Sequence, residues 1–207
     1  MDQGEAAVTL SRIRLDEVTR HRTESAFGPR DLTLETALVI DRSTPTVDRT
    51  IRLARVGDRD IVPDDGDRRR RFQSPIRRDL LRAADGLLYP ERLLGTQESL
   101  GDAEPDRLDS REVIRVQTVS TDEAAPVERV TWYFSRPSGR LLRARGVIRG
   151  EDRGTLVVTV DYDRIEGLDL PVSRFLEGSF AIRRRTRTYT VLVESNSQYR
   201  VVSLEAL

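Results

Sequence analysis

The stretch Val130-Thr131-Trp132-Tyr133-Phe134-Ser135-Arg136-Pro137-Ser138-Gly139-Arg140-Leu141-Leu142-Arg143 decides how this chain is read. Val130, Trp132 and Phe134 share one face, and Thr131, Tyr133 and Ser135 share the other. A period of two marks a half-buried strand, because successive side chains leave a pleated backbone on opposite sides. Arg136-Pro137-Ser138-Gly139 then reads as a turn, since Pro presets its backbone angle and Gly tolerates angles closed to other residues. Residues 140–149 resume as a strand. A link this short predicts antiparallel neighbours.

The pattern continues in both directions. Downstream, Leu156, Val158, Val160 and Tyr162 oppose Thr155, Thr159, Asp161 and Asp163. Further strands are expected at 180–194 and 199–204, with Ser195-Asn196-Ser197 as their connector. Upstream lies a strand at 112–120, preceded by a polar loop at 101–110. Near the N-terminus, Leu32, Leu34, Thr36, Leu38 and Ile40 define one face of a strand, and residues 47–56 and Ile61-Val62 supply two more. Residues 8–22 read as a first helix, with Val8, Ser11, Leu15 and Val18 near helical spacing, while Leu10, Ile13 and Leu15 also fit parts of a strand.

Residues 75–97 break the β pattern. Pro75 is placed to open a helix. Ile76, Leu80, Leu81, Ala83, Ala84, Leu87 and Leu88 follow at helical spacing. Gly86 weakens that helix, and Pro90 starts a second short one carrying Leu93 and Leu94.

Composition excludes much chemistry. All 35 basic residues among the 207 are Arg, so no lysine Schiff base, P-loop lysine or lysine general base exists. There is no Cys, which removes disulfides, thiol nucleophiles and thiolate metal sites. His21 is the single histidine, so a multi-His metal site is impossible. It reads as a surface residue. No nucleotide, zinc-protease or nucleophile-elbow signature occurs, and neither a cofactor nor catalysis is expected. The 35 acidic residues bring the formal net charge to zero, which argues against a nucleic-acid partner. No apolar run approaches the roughly 20 residues of a transmembrane helix. The start, Met1-Asp2-Gln3-Gly4-Glu5, lacks the basic and apolar regions of a signal peptide. That leaves two readings, a cytoplasmic protein or a mature segment with an added Met.

The opening stretch also resembles the hairpin of LolA-like lipoprotein-carrier proteins, a strand followed by Asp-x-x-Thr-Gly and Leu-Leu-x-Arg. Ser135 stands where Asp is usual. Val160-Asp161-Tyr162-Asp163-Arg164-Ile165-Glu166-Gly167-Leu168-Asp169-Leu170-Pro171 is similar to the group's Tyr, then Gly-hydrophobe-x-Leu-Pro, strand and turn. Leu108-Asp109-Ser110-Arg111-Glu112-Val113-Ile114-Arg115-Val116 resembles its Gly-Arg-x-x-x-x-Val strand, with Ser110 in place of Gly. The resemblance covers roughly residues 75–204. The superfamily includes LolB-like receptors, mycobacterial lipid-carrying lipoproteins and the sensor domain of RseB-like regulators.

The resemblance implies an α+β fold: a strongly curved antiparallel β-sheet, an unclosed half-barrel, covered by a helical lid. Residues 1–207 then form one LolA-like domain, with a helix and strands over 8–72, the lid over 75–97 and antiparallel strands over 111–204. The implied function is a non-catalytic, extracytoplasmic (periplasmic) carrier or binder of lipid or lipoprotein acyl chains. The alternative is an envelope protein-interaction or sensor module with a filled cavity and a protein partner. Leu80, Leu81, Leu87, Leu88, Leu93 and Leu94 are the candidate cover, and Trp132, Phe134, Val158 and Val160 the candidate lining. The plain alternative is that all of them form an ordinary core. Carriers of this family latch the lid with an inward-facing Arg, and the sequence does not single out which Arg that is here.

Three charged groups receive plainer readings. Arg68-Arg69-Arg70-Arg71 is a solvated run beside Asp64, Asp65 and Asp67, which form a turn and not a calcium loop. Arg183-Arg184-Arg185 and Arg187 belong to a strand, split between its faces. Asp161 and Asp163 sit on the wet side of theirs.

Overall fold

Long runs of alternating side chains make long strands, and here they assemble into one sheet. The computed structural model describes residues 10–41, 46–61, 78–122, 125–149, 154–184 and 187–206. Four N-terminal strands come first: β1 (Leu10–Glu24), β2 (Arg30–Asp41), β3 (Thr46–Val56) and β4 (Arg59–Ile61). A helical segment follows, made of α1 (Arg78–Asp85), a 3₁₀ turn (Gly86–Leu88) and α2 (Pro90–Leu94). Then come β5 (Gln97–Ser99), β6 (Glu104–Leu108), β7 (Arg111–Ser120), β8 (Val127–Ser135) and β9 (Leu141–Arg149). The chain ends with β10 (Thr155–Ile165), β11 (Leu168–Arg184) and β12 (Arg187–Ala206).

The strands pair in the order β4-β3-β2-β1-β12-β11-β10-β9-β8-β7-β5, and β6 also pairs with β7. All pairs are antiparallel. Among the described residues the outer strands β4 and β5 do not meet, so the sheet is open. Within it β1 pairs with β12, which brings the N-terminal and C-terminal strands together through a register running from Leu10↔Ala206 to Glu24↔Leu192.

Several expectations need correction. Residues 8–22 are not a helix: the described part, from Leu10, is strand β1. Its inward residues are Ile13, Leu15, Glu17, Thr19 and His21, a clean period of two. The polar members of that row hide it from a reading that counts apolar residues only. His21 is correspondingly buried and not a surface group. Ser195-Asn196-Ser197 is no connector, because it runs through the middle of β12 with Ser195 and Ser197 turned inward. The strand expected at 180–194 belongs to two strands, β11 and β12. The loop expected at 101–110 contains β6. The runs Asp64–Asp67 and Arg68–Arg71, and Arg185, lie outside the described residues, as do Pro75 and Ile76.

Turn chemistry explains two hairpins. Asp109 and Ser110 carry φ of 48° and 70° between β6 and β7, and Glu166 and Gly167 carry 49° and 83° between β10 and β11. Two successive residues at positive φ are what the right-handed twist of paired strands requires of a two-residue turn. Pro171 falls where the β10–β11 register shifts, and a bulge is one of the few places a strand interior accepts proline.

The apolar core lies between the sheet and the helical segment. It unites Ile13, Leu15, Leu38 and Ile40 with Val130, Trp132, Leu156, Val158 and Val160, and with Leu80, Ala83, Ala84, Leu87 and Leu88 of the segment. In α1, Leu80, Ala83 and Ala84 are buried while Asp79 and Arg82 are exposed, and Leu87 extends the apolar stripe into the 3₁₀ turn. An eight-residue helix is too short to persist alone in water. Packing on the sheet therefore holds it.

Candidate functional site

The inner face of the sheet and the segment across it form the candidate site. Asp85, at the end of α1, reaches Arg49 on β3 and Arg174 on β11. Two residues on, the Leu87 carbonyl accepts a hydrogen bond from the Tyr162 hydroxyl of β10, and the Leu87 side chain lies against Gly146 of β9. β3 and β9 are six spacings apart in the sheet order, about 29 Å if the sheet were flat. Asp85 and Leu87 are at most about 7 Å apart. The sheet must curve around the segment for both contacts to exist.

The expected lining and cover residues come together. Leu80, Leu87 and Leu88 are buried on the segment's side, and Trp132, Val158 and Val160 are fully buried on the sheet's side. The Trp132 indole N–H donates to Thr118 Oγ1 at 2.8 Å, which satisfies its polar atom. Leu81, Leu93 and Phe134 are partly buried against the same core. Leu94 differs, being 38% exposed on α2. It lines a cavity of about 240 Å³ at one end of the interface, with Ile13, Leu88, Phe134, Leu141 and Leu170. Arg164 and Asp169 stand in the same lining. A ligand pocket for a drug-sized molecule is commonly larger, about 300–1,000 Å³.

The centre of the inner face is charged. Arg174 Nη1 donates to Asp85 Oδ1 at 2.9 Å, and Nη2 donates to Glu17 Oε1 at 3.0 Å and to Ser197 Oγ at 3.4 Å. Arg49 Nη1 donates to Glu17 Oε2 at 2.8 Å. Arg49 Nε donates to Asp85 Oδ2 at 3.3 Å, and Nη2 bonds Asp85 Oδ1. The hydroxyls of Thr19 and Ser197 share a hydrogen bond of 2.8 Å beside them. The Arg174 guanidinium lies 5.9 Å from the centre of the Tyr199 ring. Arg suits this place because its planar fork bonds two carboxylates at once.

Electrostatics follow from burial. Desolvation alone would raise Glu17, but the charges of Arg174 and Arg49 outweigh it and hold the carboxyl below its ordinary value. Burial, and then the Arg174 charge, push His21 down to about 4. The imidazole is therefore neutral at pH 7, and Arg49, Arg174, Glu17 and Asp85 balance in charge. Two polar ties complete the docking. Tyr162 holds the Leu87 carbonyl, and the Tyr89 hydroxyl donates to the Asp41 carbonyl of β2 at 2.8 Å.

A single-path open sheet curved around a leucine-bearing helical segment is the architecture the sequence resemblance implies. The open antiparallel sheet agrees with that expectation. No family model and no curated protein matches the chain. Among solved structures it is similar to a LolA superfamily protein from Nitrosomonas europaea, at 12% identity over 95% of this chain and 90% of that one, with a TM-score of 0.37. It is also similar to a domain described as an outer membrane lipoprotein-sorting protein from Vibrio parahaemolyticus, at 9% identity over 92% and 86%, TM-score 0.40. A DUF1329 family protein from Desulfovibrio piger is similar at 11% identity over 94% and 88%, TM-score 0.38.

The helical part is slighter than the expected lid, being two helices of 8 and 5 residues with a 3₁₀ turn between them. The charged centre was not read from the sequence. Its signal was there: Glu17, Thr19 and His21 share the parity of Ile13 and Leu15, Ser195 and Ser197 that of Val191 and Val193, and Arg174 that of Leu176. Polar residues on an apolar row are the mark of a buried network. Asp161 and Asp163 stay on the outer face, where Arg143 Nε donates to Asp161 at 2.6 Å. They pair with arginines across strands.

Proposed function

We propose that the protein is a non-catalytic, extracytoplasmic carrier or binder of lipid or lipoprotein acyl chains. The chain would lie against Trp132, Val158 and Val160, in the space that Leu80, Leu87 and Leu88 fill when the helical segment is docked. One observation carries the reading. The cover of the inner face is a short helical segment bearing six leucines, five of them buried or half-buried against the core at Leu80, Leu81, Leu87, Leu88 and Leu93. An acyl chain can replace such side chains at little net cost, since each CH₂ buried is worth about 0.8 kcal/mol whichever molecule supplies it. The cavity beside Leu94 and Phe134 is where entry would start.

The test is organic extraction of the purified protein with mass spectrometry, followed by titration with a fluorescent acyl probe. Recovery of stoichiometric lipid and saturable probe binding support the carrier. Neither lipid nor probe binding ends it. A second reading has an observation of its own: the interior is filled, with Leu80, Leu87, Leu88 and Trp132 at 0–3% exposure. A closed core with a movable segment suits an envelope protein-interaction or sensor module, which predicts a protein partner and no lipid in the same experiment.

A further inference from the structure

We propose that Arg49 and Arg174 form the seat for the anionic head of a single-chain amphiphile, and that Asp85 occupies this seat while the helical segment is docked. The inference rests on the carrier reading and adds the class of ligand. The helical segment carries three acidic residues, and only Asp85 turns inward, Asp79 and Glu91 being exposed. Its carboxylate sits between two guanidiniums, as a ligand head would. It is thus a carboxylate on the helical segment, held by cations on the sheet.

Charge balance makes the exchange necessary. With Asp85 in place, two cations face two carboxylates. When the segment leaves with Asp85, Arg49 and Arg174 keep Glu17 as their only carboxylate partner among the described residues. The net positive charge is then left on a buried face that offers it Thr19, Ser197 and other neutral groups but no second carboxylate among the described residues. Uncompensated charge in such a place is strongly disfavoured. A neutral acyl chain does not relieve it, whereas a carboxylate or phosphate monoester does. The seat also has donor capacity to spare. Arg174 Nε is buried without a hydrogen-bond partner, on a side chain only 2% exposed. The hydroxyls of Thr19 and Ser197 stand beside the guanidinium, and the Tyr199 ring is adjacent. Bidentate geometry suits both kinds of head.

The test compares three probes of one chain length at pH 7.4: palmitate, 1-palmitoylglycerol 3-phosphate and neutral 1-palmitoylglycerol. The full chain should bind at least one anionic probe about tenfold more tightly than the neutral one, the scale of a charge-assisted hydrogen bond. Which anionic probe binds more tightly identifies the head. In Asp85→Asn the anionic-to-neutral ratio should rise, because the competing carboxylate is gone. In Arg49→Gln it should fall towards one. A thermal melt checks that each variant is folded, and Asp85→Asn carries the test alone if Arg49→Gln is not. Equal affinity for all three probes overturns the anionic seat and leaves the carrier reading standing. Binding of none overturns both.

Discussion

Arg174 and Asp85 lie 89 residues apart in the chain and 2.9 Å apart in the fold, one on the central sheet and one at the end of α1. Neither carries much meaning in its own stretch of sequence. Together with Arg49 and Glu17 they fasten a helix that cannot persist alone onto a sheet that curves around it.

Removing one member of this group should be costly. Arg174→Met strips Glu17 and Asp85 of a shared partner and leaves buried charge uncompensated. The expected loss is about 3–5 kcal/mol of unfolding free energy, measured by urea denaturation. Replacing Arg174, Arg49, Glu17 and Asp85 together by apolar side chains of similar volume should cost far less. A loss below about 1 kcal/mol for Arg174→Met would mean that the network is not closed as described.

The same group makes the protein acid-sensitive, with a definite sign. His21 titrates near 6.5 when unfolded and near 4 when folded. Its contribution is unchanged above pH 6.5, and stability falls as pH drops from 6.5 towards 4. At about 1.4 kcal/mol per pH unit, this loss reaches at most about 3 kcal/mol. Glu17 is also held low, so its contribution is present above its unfolded value and disappears as pH falls through its folded one. His21→Gln should flatten the dependence of Tm on pH between 6.5 and 4. An unchanged profile contradicts the buried, neutral imidazole.

Gly146 sets how closely the segment docks. A Cβ added there would lie 2.7 Å from Leu87 Cδ1, closer than such contacts normally are. Gly146→Ala should push Leu87 outward. Hydrogen exchange should then speed up at the amides of residues 80–94 and stay slow in β1 and β12. Exchange that is uniform along the chain in the variant would place the strain elsewhere.

Ser110 offers a gain. It holds φ of 70° in the β6–β7 turn, a region that costs a residue with a Cβ about 1–2 kcal/mol. Ser110→Gly should raise stability, by about 1 kcal/mol once the greater freedom of unfolded glycine is subtracted. A thermal melt settles it, and a lower Tm would show that the serine hydroxyl is worth more than the strain.

This position also shows what the sequence carried. The turn at Asp109-Ser110 and the hairpin at Arg136–Gly139 are local, and local patterns gave most of the β strands, the leucine-rich segment and the LolA-like resemblance. What was lost depended on partners distant in the chain. β1 looked helical because Glu17, Thr19 and His21 interrupt its apolar row, and Glu17 is buried in company with Arg174 and Arg49 from β11 and β3. Ser195 and Ser197 read as a turn for the same reason, serine being turn-prone until a neighbour 178 positions away, Thr19, supplies its hydrogen bond. The leucines of the cover and the apolar row around Trp132 were legible as surfaces, and only the fold shows them touching.

The central claim is that an acyl chain takes the place of the docked segment against the inner face. Trp132 is the only tryptophan, fully buried on that face, and the measurement is its emission during titration with a dibrominated stearic acid, whose bromines quench on contact. The account predicts saturable quenching by the brominated acid and none by stearic acid itself. Emission unchanged at saturating brominated acid would contradict it.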